Sequence, residues 1–126
     1  MEDRPASGLT RTVRSFRYAL DGVRSVALRE PNFRVHLAAG AGAVVAGWLA
    51  ALSGAEMAVL ALTIALVLTA EALNTAIEAA VDLASPEWHP LAQRAKDAAA
   101  AGVLLAAVGA VGVGVALFGP RLAGLR

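Results

Sequence analysis

From Ala98 to Phe118 the chain runs twenty-one residues without a single charged side chain. As a helix such a stretch is roughly 30 Å long, at about 1.5 Å per residue, which matches the hydrocarbon thickness of a bilayer. A soluble helical bundle would need a polar face that this segment lacks. Two other segments behave similarly. Val35 to Ser53 has His36 as its only titratable group, and Met57 to Ala70 is uncharged and can continue helically to about Leu83. Spans are therefore expected at about 35–53, 57–83 and 92–118. A hydrophobic content of 58% and a mean hydropathy of +0.63 agree with a membrane chain. The abundant Ala and Gly allow helices to approach closely, as in membrane interfaces.

Ahead of the first span lies a different pattern. Residues 1–8 read as a disordered lead-in, and residues 9–126 as one domain. Between Leu9 and Arg29, Val13, Phe16, Leu20, Val23 and Ala27 recur at three- and four-residue steps, while Arg14, Arg17, Asp21 and Arg24 take other faces. This is a basic amphipathic helix suited to the headgroup layer. Pro31 disfavours helical geometry at Glu30, so a corner is expected there, with Glu30 near the membrane surface. The polar, arginine-rich N-terminal region has no early apolar core and does not read as a cleavable signal.

Charge sets the orientation. Seven of the eleven basic residues precede the first span (Arg4, Arg11, Arg14, Arg17, Arg24, Arg29 and Arg34), and the connection at Gly54 to Glu56 has none. Arg94 and Lys96 follow the second span. The positive-inside bias puts the N-terminus and the second connection in the cytoplasm, with Arg121 and Arg126 opposing weakly. Trp48 and Trp88 suit interfacial positions on opposite sides.

The chemistry concentrates in E-A-L-N-T-A-I-E-A-A-V-D, Glu71 to Asp82. Glu71 and Glu78, seven residues apart, face within about 20° of one another on a helix. Asn74 shares that side and Asp82 extends it. An intramembrane carboxylate is costly and marks function by default. If Met57 lies at the outer boundary, Glu71 sits roughly 21 Å along the helix, within the cytoplasmic part of the hydrocarbon. Glu78 follows about 10 Å later, at the headgroups. One face thus offers one carboxylate to a lipid and another to a soluble reagent. Glu30, Glu78 and Asp82 could gather a hard cation such as Mg²⁺. Cations at Arg94 and Lys96 could hold phosphate; alternatively they anchor the helix, with Arg94 pairing Asp97. No Walker A sequence occurs, and the glycines of the third span read as packing sites. Without cysteine, and with His36 and His89 unpaired, a thiolate or zinc site is not expected. A proton-coupled exporter is the competing class, and a structural membrane protein a third. Neither explains why the acidic stripe runs on to meet Arg94 and Lys96.

These residues resemble the small prokaryotic integral-membrane lipid kinases, diacylglycerol kinase and undecaprenol kinase. The likeness rests on Glu71–Asp82 and on H-P-L-A-Q-R-A-K-D-A-A-A-A (His89–Ala101), and extends through R-S-F-R-Y-A-L-D-G-V-R (Arg14–Arg24) and E-P-N-F-R-V-H-L (Glu30–Leu37). It implies an all-α membrane protein with a surface helix and three transmembrane helices, assembled as a homotrimer with sites between subunits. It also implies ATP- and Mg²⁺-dependent phosphorylation of a lipid alcohol at the inner face of a prokaryotic plasma membrane, with no nucleic-acid partner. By the same resemblance, Glu71 is the general base or positioner of the lipid hydroxyl, and Glu30 and Glu78 coordinate the magnesium of the nucleotide. Asn74 organises the site, and Lys96 and Asp97 contact the nucleotide. Arg11, Tyr18, Glu87 and His89 match peripheral nucleotide contacts. Trp88 stands where tyrosine is common, and Gln93 where the undecaprenol branch often has lysine. His36 and H-P-L-A lean toward the undecaprenol branch, with diacylglycerol as the alternative. Around the lipid, Asn32, Arg34, His36 and Trp48 are the few donors among small apolar residues.

Overall fold

The computed structural model describes residues 8–124; the lead-in, with Arg4, and Arg126 fall outside them, save for Gly8, which opens the first helix. The described chain is all helical: α1 Gly8–Arg29, α2 Pro31–Leu49, α3 Gly54–Ala84 and α4 Pro90–Leu122. The corner at Glu30 is present. Glu30 is extended (φ −99°, ψ 110°) and caps α2, with Pro31 in the first turn. There the missing N–H of proline costs no hydrogen bond and its fixed φ suits the helix. The helix consequently starts at Pro31, four residues before the expected Val35.

At its other end α2 stops at Leu49, short of the expected Ser53. Ala51 takes a left-handed φ of 51°, and Ser53 opens the next helix instead. Ser53 N–H and hydroxyl both donate to Glu56 Oε2 at 2.8 Å, while Glu56 N–H donates back to Ser53 Oγ at 3.3 Å. This reciprocal S-x-x-E box satisfies orphan amides at the helix start. It was legible in the sequence and moves the start of α3 from Met57 to Gly54. α4 begins on Pro90 and continues through Pro120 to Leu122, past the expected end at Phe118.

α3 is the central helix, packed against α2 on one side and α4 on the other, with α1 touching α2 and α3. Close approach of α2 depends on absent side chains. A Cβ on Gly40 would sit 2.8 Å from Ile64 Cγ2, and one on Gly47 would sit 2.9 Å from Leu52 Cδ1 and 3.2 Å from Leu60 Cδ2. Gly47 lies by Leu60 and Gly40 by Ile64, so the two helices run antiparallel. The glycines of α4 have open space around them: Gly102, Gly109, Gly112, Gly114 and Gly119 have no neighbour within 4 Å of a would-be Cβ, and Gly114 borders an apolar groove over Leu60, Ile64 and Val67.

Little of the apolar surface is covered. Phe33, Leu60 and Val67 are the buried hydrophobic residues, whereas Leu62, Leu66, Leu104, Leu105 and Val111 stand exposed. Exposure of that extent marks a surface made for lipid or other protein. Among the described residues, α3 and α4 are long and apolar enough to cross a membrane. The expected third, α2, does not meet that test; its first turns carry Arg34 and His36.

At the end of the bundle where α3 begins, Arg121 joins three elements. Its Nη2 donates to Glu56 Oε2 at 2.8 Å and its Nη1 to Glu56 Oε1 at 3.1 Å. Nε donates to the Ala50 carbonyl at 3.0 Å, and Nη1 also to the Leu117 carbonyl at 2.8 Å. Such a two-point Arg–carboxylate contact fixes geometry as well as charge. Arg121, expected only as a weak opponent of the orientation bias, is thus neutralised by Glu56. Replacing it with Met removes the cation from a partly covered carboxylate and the side-chain donor from the Ala50 carbonyl. The apparent unfolding midpoint in a membrane mimic is expected to fall by roughly 5 °C. Ser53→Ala, which removes only the cap, should lower it less; thermal scans of the two variants check the order.

Candidate active site

The buried face of α3 carries the first functional group. Leu60, Val67 and Glu71 follow one another at seven- and four-residue steps, so all three point to the same side. Glu71 is 4% exposed, as well covered as Leu60 at the same value. From the next turn onward, toward the end near the start of α4, the polar part of the file becomes accessible. Asn74 and Glu78 are half-buried, and Asp82 is exposed.

Asn74 ties this file together. Its Nδ2 donates to Glu78 Oε1 at 3.0 Å, an i,i+4 contact along the helix. Its Oδ1 is buried and has no hydrogen-bond partner among the described residues. A buried acceptor left unmatched is costly, and this one lies on the same face as the buried Glu71.

The loop after α3 and the first turns of α4 form the second part. Ser85 Oγ donates to the Glu87 carbonyl at 3.0 Å, and His89 Nδ1 accepts from the Leu91 N–H at 3.2 Å, capping α4. Lys96 Nζ pairs with Asp82, bridging α4 to the end of α3. Together these residues surround a cleft of about 110 Å³ whose wall includes Asp82, Glu87, Trp88, His89, Gln93 and Lys96. Asp97 accepts from Gln93 Nε2 at 2.8 Å, so the expected Arg94–Asp97 pair is replaced by an i,i+4 contact with glutamine.

The structure therefore brings Glu87, His89 and Lys96 to one cleft, at the same end as the Asn74–Glu78 pair. Asp97 sits one residue beyond Lys96, held by Gln93. Glu30 is half-buried at the junction of α1 and α2. Arg11 and Tyr18 are exposed on α1, where the Arg11 carbonyl accepts from Ser15 Oγ at 3.0 Å. Trp48 is exposed at the far end of α2, beside Gly47, which packs on Leu60. It is separated from Glu71 by about eleven residues of α3, or roughly 16 Å, so the structure does not bring Trp48 to Glu71. Among the described residues no three His, Asp or Glu side chains converge as an ion cage. The acidic stripe was expected to meet Arg94 and Lys96, and the structure makes Asp82 the partner of Lys96, fourteen residues away across a loop.

A family model for prokaryotic diacylglycerol kinase matches residues 17–118. The chain is 47% identical to a diacylglycerol kinase of Synechocystis sp. over 112 residues, which cover 88% of this chain and 64% of that protein, just under two thirds of its length. It is 41% identical to the undecaprenol kinase of Bacillus subtilis over 114 residues, covering 90% of this chain and 93% of that one. With the diacylglycerol kinase of Escherichia coli the identity is 37% over 106 residues, 83% and 86% of the two chains. The chain belongs to the prokaryotic diacylglycerol kinase family of membrane lipid kinases.

Proposed function

We propose that this protein transfers a phosphoryl group from ATP to the hydroxyl of a membrane lipid alcohol at the cytoplasmic interface, with undecaprenol as its first substrate. The observation that carries this reading is the buried Glu71 at the head of a file that ends in the Asn74–Glu78 pair, beside the Lys96 cleft. A lipid hydroxyl reaches Glu71 from the bilayer, and a nucleotide reaches Lys96 from water. Phosphoryl transfer needs mainly that these be positioned and their charge balanced. Glu71 orients the hydroxyl or accepts its proton, Asn74 Oδ1 accepts its hydrogen bond, and Lys96 faces phosphate, with Asp97, Glu87 and His89 around the nucleotide. Arg11 and Tyr18 on α1 complete the nucleotide contacts.

The donor set suits Mg²⁺, which binds through one or two carboxylates plus substrate phosphates rather than a closed protein cage. Glu30 and Glu78 are the residues that would hold it. When bound, it neutralises phosphate charge. α2, antiparallel to α3, crosses as the third span. Three chains assemble so that neighbouring subunits cover the exposed apolar faces and complete each site. The N-terminus and both parts of the site face the cytoplasm of a prokaryotic cell, in its plasma membrane.

The choice of lipid rests on the surroundings of α2. A groove of about 320 Å³ opens between α2 and α4, over Leu60, Ile64 and Val67 of α3, and His36 is the one polar side chain in its wall. Such a lining suits a hydrocarbon chain better than ester carbonyls that need donors. Diacylglycerol is the second reading, favoured by the name of the Synechocystis relative. Comparing kcat/KM for the two alcohols in one membrane mimic decides between them. The expected result is a preference for undecaprenol of at least about ten-fold, on the order of 1.4 kcal/mol. A clear preference for diacylglycerol overturns the choice of lipid.

A further inference from the structure

Lys96 is the only lysine in the chain, and its ammonium group is engaged by Asp82. The two sides of this pair are unequally covered: the Lys96 side chain is 31% exposed and that of Asp82 is 64% exposed. Asp97, the carboxylate next to Lys96 in sequence, is occupied by Gln93. We propose that Asp82 is a place-holding counter-ion, which keeps Lys96 extended over the cleft and yields it to a nucleotide phosphate. This inference rests on the nucleotide reading of the cleft given above.

Three features support the exchange. A partly covered ammonium group needs an anionic partner near it, and Asp82 supplies one from the opposite wall. An ion pair this open to solvent is weak, whereas a phosphate group carries more charge and more acceptor oxygens than a carboxylate. Asp82 lies mostly in water, so it is rehydrated readily when Lys96 leaves. The same pairing removes Asp82 from the carboxylates available to a cation, although its position in the acidic stripe first suggests that role. Asp82 is in this account a positioning residue that sets nucleotide affinity through Lys96.

The sign of the effect distinguishes a competitor from a mere brace. Asp82→Asn removes both the rival for Lys96 and a negative charge facing the phosphates. Calorimetric titration of the full chain in lipid nanodiscs with Mg·ATP is expected to show a Kd lowered about two- to five-fold. Asp82→Ser gives the same direction, and Asp82→Glu, which keeps the charge, binds as the wild type. A second readout uses the single lysine: after ¹³C-dimethylation, its NMR signal in the wild type moves on adding ATP. In Asp82→Asn the signal starts from a different position and reaches the same ATP-bound one. An unchanged or raised Kd in Asp82→Asn and Asp82→Ser overturns the inference. Absence of ATP binding by the wild type instead overturns the nucleotide reading beneath it.

Discussion

Glu71→Gln is expected to lower kcat by about two to four orders of magnitude, the range associated with loss of a positioned general base. Its Kd for ATP should stay within about two-fold of the wild type, since the proposed reading assigns Glu71 to the lipid and not to the nucleotide. The substitution is nearly isosteric, so it changes the chemistry of the group while keeping its volume among Leu60 and Val67. Glutamine retains an oxygen that can accept from a lipid hydroxyl but cannot take its proton. If the loss is confined to KM for the lipid, Glu71 is a binding group and not a base. Near-normal turnover would remove it from the mechanism. Single-turnover assays together with nucleotide titration separate these cases.

The second large effect concerns the carboxylates assigned to magnesium. Glu78→Gln and Glu30→Gln should each raise the Mg²⁺ concentration for half-maximal activity by at least about ten-fold. Each loses a hard anionic ligand. For Glu78 there is a further test built into the helix. Asn74 Nδ2 occupies Glu78 Oε1 at 3.0 Å and so fixes the direction of the carboxylate. Asn74→Ala frees that rotation, and it should shift the Mg²⁺ titration the same way by a smaller factor. Unchanged Mg²⁺ titrations for both glutamate variants would contradict the assignment.

What could be read in the sequence was whatever depends on neighbours along one helix. The amphipathic pattern of α1, the corner at Glu30–Pro31 and the common face of Glu71, Asn74 and Glu78 are consequences of helical period and proline sterics. The S-x-x-E box at Ser53 is equally local, and it sets the boundary between α2 and α3 at Ser53 where hydropathy alone extends α2. Particular contacts between distant residues were not legible. Arg121 reaches Glu56 across 65 positions, and of the acidic stripe expected to meet Lys96 it is Asp82 that does so; no spacing rule predicts either pair. The α4 glycines, expected as packing sites, have open space around them; the apolar pattern of α4 runs all round the helix and does not say which side meets α3.

Movement of phosphate from nucleotide to lipid by the Glu71 file and the Lys96 cleft together is open to one assay. Its most direct test is transfer of label from [γ-³²P]ATP in nanodiscs containing the purified protein, with undecaprenol or diacylglycerol as the added alcohol. Label is expected in a lipid phosphate only when both the alcohol and Mg²⁺ are supplied, and is expected to be lost in Glu71→Gln. Absence of labelled lipid with either alcohol, from protein shown to be folded and to bind ATP, would contradict it.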